Sequence, residues 1–181
     1  MERFLLGPNR TARRPDELLT RVSFPALPAR AATAFLKAGR RRAMEISVVC
    51  VAARLTLDAS LERCLEARVA LGAVAPTALR VHDAERALEG QPVGAETFRR
   101  AAEAAQQACR PIDDVRASAA FRRHLVGVLV RRALDRCRRA GASRMLNPAS
   151  VLSQKSRRRV GPGAPAGPAS AVAKHSHRPW R

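Results

Sequence analysis

Two apolar runs separated by three turn-forming residues limit what this chain can fold into. The first, Ile46 to Leu57, holds Val48, Val49, Cys50, Val51, Leu55 and Leu57. A run of that length also fits a buried helix, but its density of β-branched residues favours a strand. The second run alternates, with Leu65, Ala67, Val69 and Leu71 on one side and Glu66 and Arg68 on the other. A period of two predicts a strand with one buried face. Asp58-Ala-Ser60 supplies turn residues between the runs, although no Asn-Gly or Asp-Gly pair is present. The expectation is an antiparallel strand pair, closed at Gly72 and Pro76.

Further strands and helices are predicted on either side. Phe4-Leu5-Leu6 reads as a strand end broken by Gly7-Pro8-Asn9. Leu18 to Phe24 reads as a short strand stopped at Pro25, and Pro25 with Pro28 forces an extended connection. Ala32 to Ala38 reads as another strand, ended by Gly39. Downstream, the period lengthens. Asp83 is placed to cap a helix through Leu88, with Gly90 where a left-handed C-terminal residue belongs. From Glu96 to Cys109, Phe98, Ala101, Ala102, Ala105, Ala108 and Cys109 share one helical face, opposite Arg99, Arg100, Glu103 and Gln107. Pro111 stops that helix. Ser118 is placed to cap a third helix reaching about Arg139, with Leu125, Val126, Leu129, Val130, Ala133 and Cys137 buried and His124, Arg131, Asp135 and Arg138 facing water. The predicted class is α+β: a small, mostly antiparallel sheet with three helices packed on it. Each fully buried Leu or Val contributes roughly 1.5–3 kcal/mol to such a core.

The formal net charge of +19 raises the question of a polyanionic partner. Eight of the 34 lysines and arginines fall in residues 144–181, which contain no acid. From Gly141 onward the chain has no amphipathic period and five prolines, so residues 141–181 are expected to form a disordered basic tail. Aromatic residues make up only 3% of the chain, with no tyrosine, which counts against base stacking and against specific nucleic-acid recognition. Cys50, Cys64, Cys109 and Cys137 show no Cys-x-x-Cys spacing and read as buried free thiols. No apolar run approaches the ~18 residues of a membrane helix. The first eight residues are too short for a secretory signal, so a cytoplasmic location is expected.

Catalytic signatures are scarce. His82, His124, His175 and His177 have no cysteine or carboxylate at ligand spacing, and no Gly-x-Ser-x-Gly or Gly-rich phosphate loop occurs. Asp113-Asp114 beside Arg116 reads as helix-end salt bridges. Arg40-Arg41-Arg42 reads as a solvated turn or as an anion or partner contact.

Three stretches carry a family resemblance. They are Gly7-Pro8-x-Arg10-Thr11 with Pro15-Asp-Glu-Leu-Leu19, then Lys37-Ala-Gly-Arg-Arg-Arg-Ala-Met-Glu45-Ile46 with Ala67-Arg-Val-Ala-Leu-Gly72-Ala-Val-Ala-Pro76-Thr, then Arg110-Pro-Ile-Asp-Asp114-Val-Arg116-Ala-Ser118-Ala-Ala-Phe-Arg122-Arg. In order and spacing they resemble the C-terminal domain of the FAD-binding medium subunit of molybdenum hydroxylases, the carbon monoxide dehydrogenase and xanthine dehydrogenase family. The resemblance covers roughly residues 3–140. It departs at Ala117 and Phe121, where the family usually has glycine and tyrosine.

The resemblance implies a division of the chain. Residues 1–16 would be the end of an upstream FAD-binding domain, otherwise absent from this sequence. Residues 17–140 would be the domain itself, and residues 141–181 the tail. It implies an electron-transfer role as part of an oxidoreductase subunit inactive alone. FAD would be held mostly by the absent domain, with the molybdenum cofactor in a large partner subunit and two 2Fe-2S clusters in a small one. Two positions carry over as flavin contacts: Leu19, an apolar residue near the ring system, and Lys37, whose ammonium lies near the flavin. Without the resemblance, Leu19 reads as core and Lys37 as a strand-end surface charge. The alternatives are a basic nucleic-acid-binding module and a nonfunctional truncated remnant. Nucleic-acid binding is expected to be weak, tail-borne and steeply salt-dependent, because phosphate neutralisation releases counterions. Titration with duplex DNA at low and near-physiological salt checks this: affinity should collapse at the higher salt and show no sequence preference.

Overall fold

The computed structural model describes residues 4–28, 30–41 and 45–146. Leu5–Gly7 (β1) and Arg10–Thr11 (β2) form a small antiparallel ribbon turned at Asn9, whose φ is 55°. Ala31–Ala38 (β3), Val49–Leu57 (β4), Cys64–Gly72 (β5) and Leu79–Arg80 (β6) make a second sheet in the order β3-β4-β5-β6, antiparallel throughout. His82–Leu88 (α1), Ala95–Ala108 (α2) and Ala119–Leu146 (α3) follow. Helix α3 lies over β3 and β4, α1 lies along β5, and α2 joins α1 to α3. This is the expected α+β arrangement.

The sheet is held by the alternation read in its two longest strands. Val49, Val51, Ala53, Leu55 and Leu57 of β4 and Ala67, Val69 and Leu71 of β5 are buried toward the helices. Against them pack Val126, Leu129, Val130, Ala133, Leu134 and Cys137 of α3 and Phe98, Ala101, Ala102 and Ala105 of α2. The turn between β4 and β5 is organised by Asp58. Its carboxylate accepts from the Glu62 and Arg63 amides at 2.9 and 3.2 Å and from the Ser60 hydroxyl at 2.8 Å.

The structure corrects the sequence reading in several places. Leu65 is exposed, although its alternation matched Ala67, Val69 and Leu71. Thr56 pairs with Glu66 while Leu57 pairs with Cys64, so β5 carries one extra residue there. Such a bulge flips the alternation and puts Cys64, not Leu65, in the core. Leu18 to Phe24 forms no strand, and Leu18, Leu19, Val22 and Phe24 are all exposed. A strand needs a partner, and none lies beside this segment among the described residues. Strand β4 begins at Val49, not Ile46. Asp83 does not cap α1: Val81 occupies the cap without a side-chain bond, and Asp83 pairs with Arg86 inside the helix. Gly90 does adopt a left-handed φ of 73°. Helix α3 passes Arg139 and reaches Leu146. Gly141 is buried within it, and packing outweighs the ~1 kcal/mol propensity cost of a glycine. The tail expected to be disordered lies, from Asn147 onward, outside the described residues.

Beyond the two-residue strand β6, two outward amides of β5, those of Ala67 and Val69, are satisfied by side chains. Glu85 is buried, and its carboxylate accepts from the Val69 amide at 3.0 Å and from Arg80 at 2.8 and 2.9 Å. Glu89 accepts from the Ala67 amide at 3.2 Å. The carboxylates of Glu85 in α1 and of Glu89 just after it thus stand where a longer neighbouring strand would place carbonyls. Burial pushes the Glu85 pKa up, but the hydrogen bonds from Arg80 and Val69 and the charges of Arg80 and Arg68 bring it below its ordinary 4.5. Because the folded value is depressed, this stabilisation is present above pH 4.5 and is lost as the pH falls below it. Glu85→Ala is expected to cost about 2 kcal/mol near neutral pH, since it orphans a buried amide. Urea denaturation of both proteins from neutral to acidic pH checks this: the gap should narrow below pH 4.5.

Candidate functional site

The three stretches singled out in the sequence converge on one cleft of about 440 Å³. Pro8 comes from the first, Ile46 and Pro76 from the second, and Ile112, Arg116 and Arg122 from the third. Its walls depend on Arg122, a buried cation in the first turns of α3. Arg122 donates to the Val48 carbonyl at 2.8 Å, to the Ala73 carbonyl at 3.0 Å and to Asp114 at 2.6 Å. The start of β4, the end of β5 and the loop before α3 are thereby tied to one side chain. Ala73 has φ 63°, a left-handed conformation that costs a non-glycine residue about 1 kcal/mol or more and persists only under such restraint.

Asp114 completes the arrangement. It accepts from the Arg116 amide at 2.8 Å and the Ala117 amide at 3.1 Å, and pairs with the Arg116 guanidinium at 2.8 Å. The Arg116 amide is the largest influence on its carboxyl. Partial desolvation opposes it, and Arg122, the Arg116 side chain and the Ala117 amide add to it, so the carboxyl stays well below its ordinary range. Asp113 accepts from the Ala119 amide at 2.6 Å, and the Ser118 hydroxyl accepts from the Phe121 amide at 3.2 Å, capping α3 as expected. Asp113 and Asp114 are therefore helix-end partners of the kind their spacing predicted. The two departures from the family pattern cause no strain: Ala117 has no positive φ, and Phe121 is exposed, so no buried hydroxyl bond is forfeited.

Lys37 lies exposed near the end of β3 and does not line this cleft. Its ammonium donates to the Glu45 carbonyl at 2.6 Å. The Glu45 carboxylate turns back to accept from the Arg41 amide at 2.6 Å. It crosses Gly39 so closely that a Cβ there would lie 1.6 Å from Glu45 Cδ. Lysine, glycine and glutamate thus form one local clamp, and only glycine permits it. Arg40 donates to the Val115 carbonyl at 3.2 Å, a structural contact to the loop before α3, while Arg42 lies outside the described residues. Lys37 lines a depression of about 330 Å³ with Leu36, Leu129 and arginines of α3. Leu19 lines neither that depression nor the cleft. It sits half exposed in the segment between β2 and β3 that has no regular structure.

Arg122, Glu45 and Gly39 were missed as site residues by the sequence reading. A helical arginine on an amphipathic pattern reads as solvated, and nothing local marks Arg122 as buried. The cysteines are free thiols, with Cys64 pushed up to about 12 and Cys137 to about 11 by burial, so neither offers a thiolate. Among the described residues no cluster of His, Cys, Asp and Glu could hold a metal, and no helix is long and apolar enough to cross a membrane. Arg122→Met would leave the Val48 and Ala73 carbonyls without this donor, while Asp114 keeps Arg116 and two amides, and is expected to cost about 1–3 kcal/mol. Chemical denaturation near neutral pH checks this. Asp114 contributes stability above its ordinary pKa of 3.8 and loses it as the pH falls further, so the variant's deficit should shrink in acid.

Comparison with known proteins places this geometry. The family model described as the CO dehydrogenase flavoprotein C-terminal domain matches residues 34–137. A putative xanthine dehydrogenase FAD-binding subunit, XdhB, of Escherichia coli K12 is 32% identical over 133 residues, 73% of this chain and 45% of that protein. The carbon monoxide dehydrogenase medium chain of Hydrogenophaga pseudoflava is 30% identical over 132 residues, again 73% of this chain and 45% of the relative. Among solved structures, carbon monoxide dehydrogenase from Hydrogenophaga pseudoflava superposes with a TM-score of 0.72 at 31% identity, covering 77% of this chain and 47% of that one. Quinoline 2-oxidoreductase from Pseudomonas putida 86 gives a TM-score of 0.69 at 28% identity, with the same coverage. The chain spans a little under half the length of the relatives it matches. It belongs to the CO dehydrogenase flavoprotein C-terminal domain family.

Proposed function

We propose that the chain serves as the C-terminal part of the flavoprotein subunit of a cytoplasmic molybdenum hydroxylase, helping to hold FAD and to dock an iron–sulfur subunit and a molybdenum-cofactor subunit. In this reading residues 17–140 are the working domain. Residues 1–16 belong to the end of a FAD-binding domain that supplies most cofactor contacts; of the basic segment expected over 141–181, residues 141–146 complete α3 and the remainder is appended to the domain. The FAD, when bound, would relay electrons from the partner subunits to an acceptor.

The observation that carries the reading is the state of Lys37. Its ammonium is pinned by a single carbonyl, that of Glu45, and has no carboxylate partner among the described residues. Two of its three N–H donors are left for a ligand. That fits an electron-rich ring edge, where a fixed cation favours added negative charge. Leu19 offers an exposed apolar side chain suited to a ring face, on a segment with no partner strand of its own. The pyrophosphate needs a nest of backbone N–H donors, and the chain has no Gly-rich loop of that kind. Lys37 and Leu19 are thus secondary contacts that orient and tune the cofactor.

The 181-residue chain alone is expected to bind FAD too weakly for a submicromolar titration, because one cation and one apolar contact do not offset the ~4–15 kcal/mol cost of fixing a large cofactor. Isothermal calorimetry with FAD tests this. Joined to a flavin-binding domain of the family, the chain should support binding, and Lys37→Ala should make the flavin potential more negative. An unchanged potential and affinity would remove Lys37 from the site.

A further inference from the structure

The two edges of the four-stranded sheet differ. At the β5 side, β6 and the carboxylates of Glu85 and Glu89 occupy the outward amides. At the other side β3 is terminal, eight residues long, with no strand beyond it among the described residues. The Arg30 carbonyl accepts from the Leu57 amide at 3.2 Å and the Ala38 carbonyl from the Val48 amide at 2.9 Å. Antiparallel ladders alternate, so even-numbered residues of β3 bond β4, and Thr33, Phe35 and Lys37 turn their N–H and C=O groups outward. A long edge with free backbone groups is a template for another strand.

The surroundings of that edge specify what would pair with it. On the helix side lies the depression lined by Leu36, Lys37, Leu129, Arg132, Asp135 and Arg136. Asp135 is taken up by Arg138 at 3.0 Å and Arg139 at 2.7 Å. Arg132 and Arg136 have no carboxylate among the described residues. They stand four residues apart on α3, a rise of about 6 Å, close to the ~6.8 Å between successive same-side residues of a strand. On the opposite face Phe35 is 63% exposed and pairs across the sheet with Ala52.

We propose that β3 is a docking edge for an extended segment of a partner protein, with acidic residues at alternate positions toward Arg132 and Arg136 and apolar residues between them over Phe35. The segment adds a strand to the sheet: its backbone supplies affinity, and its alternation supplies register. A second copy of this chain fits less well. Its own β3 contains no acid, and the pairing would bring like-charged arginine rows together. The proposal stands independently of the flavin reading.

The test uses the full 181-residue chain and two labelled synthetic peptides matched to the eight residues of β3. One strictly alternates glutamate and valine; the other has the same composition with all glutamates first. Fluorescence anisotropy at near-physiological salt should show the alternating peptide binding roughly tenfold or more tighter than the block peptide. Hydrogen exchange at Thr33, Phe35 and Lys37 should slow in its presence. Arg132→Ala/Arg136→Ala, at exposed side chains with no carboxylate partner among the described residues, should weaken binding by roughly tenfold with the melting temperature unchanged. Phe35→Pro removes one outward N–H, which edge strands tolerate, and should abolish binding. If Phe35→Pro does not fold, the arginine variant and the exchange data carry the test alone. Equal binding of both peptides would mean bulk electrostatics and overturn the proposal, as would no binding or unchanged exchange at β3. A dimer seen by sedimentation and broken by Phe35→Pro would assign the edge to a second copy and overturn it too.

Discussion

A single guanidinium, that of Arg122, ties the paired ends of β4 and β5 to the loop that leads into α3. Desolvating such a cation costs several kcal/mol, and the cost is met only if its donors find acceptors in the right places. Those acceptors are the carbonyls of Val48 and Ala73 and the carboxylate of Asp114, which engage both terminal nitrogens and leave the buried Nε without a partner among the described residues. Each comes from a different segment, so the cleft exists only when the sheet and α3 are both in position. Ala73 in its left-handed conformation and the hydrogen-bonded turn from Asp114 to Ala117 follow from the same demand. The cleft is in this sense a by-product of satisfying one buried charge.

The clamp at Lys37 works on a smaller scale by similar means. Glu45 uses its carbonyl to hold the lysine and its carboxylate to hold the loop backbone, and Gly39 leaves room for both. The ammonium is fixed in place without being neutralised.

Much of the framework was legible in the sequence, because it rests on periodicity. The alternation in β4 and β5 and the apolar stripes of α2 and α3 report burial directly. Reading failed where the outcome depends on a distant partner. The bulge that exposes Leu65 is a property of two strands in register, and neither strand alone announces it. Leu18 to Phe24 has strand-forming residues but no neighbour to bond. Arg122 and Glu85 look solvated in their helices, and their burial is decided by backbone groups contributed from elsewhere in the chain. Lys37 became a candidate only through resemblance. Its spacing alone would have left it an ordinary surface charge, and Leu19 remains separate from it in the folded chain.

The two carboxylates that stand in for a strand, Glu85 in α1 and Glu89 just after it, have a consequence for the valence of this sheet. Glu85 and Glu89 accept from the β5 amides without offering donors of their own, so they end the ladder instead of continuing it. Growth can therefore occur in one direction only. A sheet with one terminated side behaves as a monovalent unit: it can close a complex, but it cannot seed an indefinite filament. Among the described residues β3 stays uncovered, and the sheet avoids the polymerisation hazard that two open sides would bring.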